Sequence, residues 1–487
     1  MLSKGRSIWE QSFTGLVDMV LRKDTLRGVA LKVAVRKLRK AVVEEDPPVH
    51  PRRVQKDKFY VFRNMLHSVD KALGNGNISP QVRRGLIELF LGHILLQNDP
   101  NLKAFVEKNG YRPPGFLTIS PTKRCNLRCK GCYAASSGRS RESLSYGVMD
   151  RIVGEKTQKW GSHFTVISGG EPFLWSDGGK GIIDLAADHA DNFFLVYTNG
   201  TLIDREVASR LAQVGNITPA ISVEGFEAET DARRGKGAYK KILQAFGHLR
   251  DVGVPFGISI TALRGNAELV LGDEFIDFYF GQEGAIYGWI FQYMPIGRRY
   301  SLDMMVTPQE RLWMYEREQE LVREREIFIA DFWNSGPVSN GCISAGRPGG
   351  YFYIDWNGDV MPCVFVPYST HNIVKVYQEG GDLDTVLESP FFEAIRRWQR
   401  EYGYMKRPDQ VGNLVTPCVI RDNHREFREA LREGGARPVD VNAEEALRDR
   451  GYYEGMVTYG DEVKELTNPI WEREYVGPER EKVKSVA

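Results

Sequence analysis

Long apolar runs are missing from this chain. No stretch of about 18 consecutive apolar residues occurs, which argues against a membrane-spanning helix. The opening MLSKGRSIWEQSF lacks the apolar core and small-residue cleavage site of a secretory signal, so a reducing cytoplasm is the expected compartment. Net charge is missing as well. With 65 basic residues against 64 acidic ones, bulk electrostatics gives no reason to expect nucleic acid as a partner, and any charged ligand must be met by a local patch. Internal repeats and low-complexity tracts are absent too. Cysteine is scarce, at six in 487 residues, and a chain this long can bury enough core to need no disulfides.

Scarcity makes placement informative. Three of the six lie within eight positions of TKRCNLRCKGCYA (122–134), as Cys125, Cys129 and Cys132 in the spacing C-x3-C-x2-C. In a reducing compartment, clustered thiols bind metal or do redox chemistry more often than they form disulfides. Three thiolates on one loop can ligate three irons of a cubane iron-sulfur cluster and leave the fourth iron open to substrate or cofactor. A structural zinc site would need a fourth ligand nearby, and the next histidine, His163, is over thirty residues downstream. Arg124, Arg128 and Lys130 make the loop too polar for three merely buried cysteines.

Organisation follows from periodicity. Residues 1–112 read as helices only. Phe13, Leu16, Val17, Val20 and Leu21 fall at helical spacing, and Ser79-Pro80 supplies an N-cap and first-turn proline before LIELFLGHILLQ. Between Arg22 and Lys40, eight basic residues against one acid, Asp24, interleave with Leu26, Val29, Val33 and Leu38. Such a basic amphipathic helix is either a solvated face on its own domain or, through residues 11–43, a peripheral contact with a membrane surface or partner. From about residue 115, apolar runs at 116–120, 164–168, 193–198, 218–224, 256–261 and 285–293 alternate with helical patterns near 144–160, 178–190, 204–214, 238–252, 267–280 and 308–325. That alternation predicts parallel strands with helical crossovers, an α/β fold. Six units are too few for a closed eight-unit barrel, so the expectation is a partial (βα)6 TIM-like barrel, with a Rossmann-like doubly wound sheet as competitor. Beyond 330, YFYIDWNGDVMPC (351–363) reads as a hairpin turning at Asn357-Gly358, and the rest is helical, charged and peripheral. The expected domains are a helical 1–112, a barrel 113–330, a small α+β unit 331–430 and a charged helical tail 431–487.

CNLRCKGCY resembles the signature of the radical S-adenosylmethionine (SAM) enzymes. The resemblance implies a catalytic 4Fe-4S cluster on Cys125, Cys129 and Cys132 whose open iron is chelated by the amino and carboxylate groups of SAM. It further implies reductive cleavage of SAM to a 5'-deoxyadenosyl radical that abstracts hydrogen from a substrate carbon, an oxidoreductase-type chemistry. Ser168-Gly169-Gly170-Glu171-Pro172 resembles the family's GGEP motif, which implies that Gly169, Gly170, Glu171 and Pro172 meet the methionine amino group. Asn199 closes the third strand as in many members. Ser222-Val223-Glu224-Gly225 resembles S-x-D-G with glutamate for aspartate, and Arg233-Arg234-Gly235 resembles the pair that sends an arginine, here Arg234, to the SAM carboxylate. The family's aromatic residue before the third cysteine is Gly131 here, with Tyr133 following as the adenine candidate.

The other cysteines are Cys342, Cys363 and Cys418. GCISAGRPGGYFYIDWNGDVMPC, followed by His371-Asn372-Ile373 and LESPFFEAIRRW, resembles the SPASM or shorter twitch extension, an auxiliary iron-sulfur domain. With only Cys418 left, the resemblance implies one three-cysteine cluster whose fourth iron is open or held by His424 or Asp422. The competing reading is three unrelated buried cysteines. Extensions of this kind imply a peptide or small protein as substrate, with a membrane lipid, lipid-linked or small-molecule substrate as alternatives. A reducing partner such as flavodoxin or ferredoxin is implied too. A non-catalytic iron-sulfur electron carrier would leave GGEP and the arginine-glycine pair without a job.

Overall fold

The computed structural model describes residues 24–45, 50–74, 76, 78–95, 99–404 and 406–486. The helix expected around Phe13 to Leu21 lies outside them. Strands β1 (Phe116–Ile119), β2 (Phe164–Ile167), β3 (Phe193–Thr198), β4 (Ile217–Val223), β5 (Gly257–Ala262) and β6 (Gly288–Gln292) occupy the six expected runs. Side chains of β3, β4 and β5 are buried on both faces, which is why those runs are largely apolar rather than alternating. The helices between them begin where the sequence offers an oxygen to the first turn. Ser145, Asp204 and Thr307 each accept a backbone N–H at the heads of Tyr146–Trp160, Arg205–Val214 and Pro308–Arg323. The expected 267–280 helix instead breaks at Gly272 into Ala267–Leu271 and Asp273–Ile276.

A seventh strand, β7 (Ile329–Asp331), pairs parallel to β6. At three residues it is too short to register as a pattern, and it crosses the boundary expected at 330. The hairpin strands β8 (Tyr351–Ile354) and β9 (Asp359–Met361) form as expected, but not as a separate sheet. β8 lies parallel to β1, from Phe116↔Tyr351 to Ile119↔Ile354, and β9 and β10 (His371–Asn372) continue antiparallel. The sheet order is β10-β9-β8-β1-β2-β3-β4-β5-β6-β7. Strands β1 to β7 follow one another without reversal, so the sheet is an open barrel and not the doubly wound competitor. The hairpin covers the barrel's free β1 edge, which would otherwise expose unpaired backbone groups. Its turn is a three-residue loop, 356–358, closed by Asp355 N donating to Asp359 O at 3.1 Å and Gly358 N to Asp355 O at 2.9 Å.

Among the described residues only helices precede β1, including Asp24–Arg39, Arg52–Leu73 and Pro100–Asn109. Ser79 caps Pro80–Arg84 by accepting from Val82 N at 3.1 Å. The C-terminal segment departs from the peripheral tail expected of it. Arg450–Trp471 buries Met456 and Val463 in the main core, and Trp471, Tyr475 and Val476 pack with Val54, Tyr315 and Leu414 into a second core. The Tyr475 hydroxyl donates to buried Asp57 Oδ2 at 2.7 Å. Charge on one face of this helix concealed the apolar stripe on the other. No helix among the described residues is long and apolar enough to cross a membrane.

Candidate active site

The expected site residues gather at the C-terminal ends of the barrel strands, where parallel α/β folds place chemistry. The cysteine loop leaves β1 and is tied to the end of β2 by main-chain bonds: Gly170 N donates to Thr122 O and Glu171 N to Arg124 O, both at 2.9 Å. A Cβ on Gly170 would stand 2.2 Å from Arg124 O, so only glycine permits this approach. The Tyr133 hydroxyl accepts from Gly169 N at 3.1 Å, which fixes the far end of the loop against the same strand. Burial pushes the Cys125 thiol up to about 12, and Glu171 and the neighbouring Cys129 and Cys132 thiols add to the effect. Three free thiols therefore crowd one another on a polar loop, the donor set that three irons of a cubane cluster require. Asn199 Nδ2 donates to Asn126 Oδ1 at 2.9 Å and reaches Cys125 Sγ at 3.8 Å.

Glu171 and Pro172 do not line the cavity, whereas Ser168, Gly169 and Gly170 do. The Glu171 carboxylate is fully buried and accepts from Thr198 Oγ1 at 2.7 Å, Asn199 N at 2.8 Å and Phe173 N at 3.2 Å. Burial raises its pKa while these donors oppose the rise. Its visible work is to brace β2 against β3 beneath the cysteines. Ser222, Arg233 and Arg234 do line the cavity, and both arginines pair with buried Glu224. Arg233 Nε, Arg234 Nε and Glu224 Oε2 are buried with no partner. A ligand bearing both an ammonium and a carboxylate, as SAM does, fits such a mixed set of orphaned groups. Arg233 was not singled out by sequence. Doubling of the arginine before Gly235 was the available signal.

The missing aromatic at 131 has a spatial replacement. Gly131 has φ +64°, and a Cβ there would lie 2.7 Å from Tyr293 Cε2 and 2.8 Å from Met304 Cε. Tyr293, just beyond β6, thus fills the place from which a side chain at 131 would act. Sequence spacing could not find it, because 162 residues separate the pair, the difference of the two numbers.

The second triad stands on the hairpin side. Cys363 Sγ lies 2.9 Å from the Tyr351 hydroxyl, and Cys342 Sγ lies 3.1 Å from Ser344 Oγ. Burial raises the Cys418 thiol, and charge on Asp422, Cys342 and Cys363 raises it further, so the three distant cysteines converge. Arg421 Nη1 and Arg347 Nε, each beside one of these thiols, are buried without partners and suit an anionic cluster. Neither suggested fourth ligand is placed to serve. Asp422 is taken by Arg311, with Nη1 to Oδ1 at 2.5 Å and Nη2 to Oδ2 at 3.1 Å. His424 Nδ1 donates to Ile420 O at 2.6 Å, and the ring borders a separate small pocket with Tyr300 and Tyr452.

All six cysteines open onto one cavity of about 1830 Å³. Its walls are largely aromatic, Phe116, Phe164, Tyr197, Trp289, Phe291 and Phe332 among them. The Trp289 and Trp333 indole N–H groups have no partner there.

The comparisons agree with this geometry. Residues 119–268 match the radical SAM superfamily, and residues 342–408 match the SPASM iron-sulfur cluster-binding domain. Mycofactocin maturase MftC of Mycobacterium tuberculosis is 28% identical over 302 residues, spanning 60% of this chain and 75% of that protein. An AdoMet-dependent heme synthase of Nitratidesulfovibrio vulgaris is 25% identical over 283 residues, spanning 52% of this chain and 74% of its own. The fold is similar to that of Streptococcus suis SuiB bound to precursor peptide SuiA, with a TM-score of 0.51 at 19% identity over 66% of this chain and 77% of that one. Residues 119–268 thus form a radical SAM domain and residues 342–408 a SPASM-type extension, and the protein is an enzyme. It therefore uses SAM with a 4Fe-4S cluster and has a further iron-sulfur site.

Proposed function

We propose that the protein modifies a peptide or small protein at an unactivated carbon within the shared cavity. The observation that carries this reading is that both cysteine triads face one aromatic chamber, which can hold a bulky side chain between them. The similarity to a mycofactocin maturase points the same way. Residues 113–331 act as the catalytic barrel, and the hairpin with its following segment acts as the auxiliary domain.

Cys125, Cys129 and Cys132 hold the catalytic cluster, and Cys342, Cys363 and Cys418 hold the second. When bound, the cluster and SAM supply an electron and a 5'-deoxyadenosyl radical able to take hydrogen from carbon. The chain's own residues do the rest. Arg233 and Arg234 orient a carboxylate with their guanidinium forks, balanced by Glu224. Gly169 and Gly170 offer backbone at the amino end, while Ser222, Asn199, Tyr133 and Tyr293 border the remainder of the cofactor. The aromatic walls exclude water from a reactive centre, and the unpartnered indole N–H of Trp289 is available to a substrate acceptor.

Anaerobic reconstitution followed by reduction with dithionite tests this. About eight irons per chain are expected in the wild type and about four in a Cys418→Ala variant. Release of 5'-deoxyadenosine is expected to vanish in Cys129→Ala and to persist in Cys418→Ala, which loses turnover of substrate instead. Stoichiometric zinc without iron in the wild type would overturn the assignment.

A lipid or lipid-linked substrate is the second reading. It is favoured by Leu26, Val29 and Val33, which stand exposed on helix Asp24–Arg39 among Lys32, Arg36 and Lys37. Flotation with anionic liposomes that disappears on deleting residues 1–45 would support it, and absence of binding favours the peptide.

A further inference from the structure

The opposite end of the barrel carries a separate cluster of ligand-type side chains. His163 directly precedes β2, Asp99 caps helix Pro100–Asn109, and His93 lies on the Gly85–Leu95 segment. One ligand atom from each lies within 4.8 Å of the others. From His163 to Ser168, beside the first cysteine loop, strand β2 spans five residues, or about 16 Å, so this cluster stands apart from the first triad.

Two details of His163 set the chemistry. Its Nδ1 faces the Asp191 carbonyl oxygen at 2.7 Å, and a carbonyl only accepts, so Nδ1 carries hydrogen. Its Nε2 faces Asp99 Oδ2 at 2.8 Å. The second ring nitrogen is thus presented to a carboxylate, and both atoms are of metal-ligating type. Donating one ring nitrogen to a carbonyl while presenting the other is also how metal-bound histidines are oriented. Asp99 is held in the same manner. Its Oδ1 accepts from Asn101 N at 2.7 Å and Leu102 N at 3.2 Å, which leaves Oδ2 directed at His163. The His93 ring lies alongside, with ring centroids 4.3 Å apart. A proton can join His163 to Asp99 alone, whereas a metal ion can engage all three side chains together.

We propose that His93, Asp99 and His163 bind one zinc(II) ion, which clasps the N-terminal helices to the N-terminal end of the barrel. Two imidazoles and one carboxylate suit zinc better than magnesium or calcium, and water completes the tetrahedron. Asp99 and His163 are buried and His93 is partly exposed, so the ion has a short path to solvent.

The test uses the full chain with its iron-sulfur sites already loaded, so that free thiols do not capture zinc. After incubation with zinc sulfate and desalting, elemental analysis should find about one zinc per chain in addition to the iron. His93→Ala and Asp99→Asn should retain roughly tenfold less zinc or lower still, with iron unchanged. Asparagine preserves the helix cap, so Asp99→Asn separates metal loss from misfolding. His67→Ala, in an unrelated pair with Glu326, should behave as wild type. Cobalt(II) in place of zinc should give visible ligand-field bands that both variants lose. Wild-type protein that retains less than about a tenth of an equivalent of either metal, or variants that hold as much as wild type, would overturn the proposal.

Discussion

A methyl group at residue 170 would stand 2.2 Å from the Arg124 carbonyl oxygen, and backbone cannot retreat as a flexible side chain can. Gly170→Ala is therefore expected to push the cysteine loop off β2 and to lower the iron content by about half under anaerobic reconstitution, with the second triad still loaded. Lys156 offers a test that is independent of iron. Its ammonium is fully buried, donates to Ser162 O and Asn192 Oδ1 at 2.6 Å each, and is lowered by burial from 10.5 to about 7. The unfolded chain then keeps this proton from about pH 7 to 10.5 while the folded chain releases it. Stability from this group consequently rises with pH across that window, by up to about 1.4 kcal/mol per unit. Thermal unfolding followed from pH 7 to 8.5 should show the rise in wild type and a flatter profile in Lys156→Met. Residue identities announced the cysteines and the glycine pair, because those side chains have few other uses at such spacing. The roles of Glu171 and Tyr293 were not legible, because each depends on which neighbour the fold brings against it.

At the scale of elements, the six main strands could be read from composition because most of their side chains are buried, and the helices from their caps and stripes. The seventh strand and the pairing of the hairpin with β1 could not, since pairing is decided by which sheet edge lies free. The same limit applies to Asp422, which on sequence could have been an iron ligand four residues from Cys418 but is bound instead by Arg311 on Pro308–Arg323. Both side chains are fully buried. Arg311→Met should cost about 3–5 kcal/mol in denaturant unfolding because it strands a buried carboxylate, and adding Asp422→Asn should recover part of that loss. If Asp422 were a ligand, the second substitution would lower iron content rather than restore stability.

For the whole molecule, the two triads become one site only because the hairpin extends the barrel sheet and Cys418 returns from a distant loop. The C-terminal helices then lock that arrangement, joining Val54 and Tyr315 to Trp471 and Tyr475 in a second core. A chain ending at residue 449 is expected to be insoluble or to unfold many degrees lower by scanning fluorimetry, whereas a dispensable tail would leave the midpoint unchanged. Chemistry was written locally: three thiols on one loop, a glycine pair after the next strand and doubled arginines are contiguous in the chain, and contiguity survives without a fold. The shared chamber, the aromatic from residue 293 and the convergence of Cys342, Cys363 and Cys418 arise from contacts between segments far apart in the chain. Their existence rests on strand pairing and core packing, which no local spacing encodes.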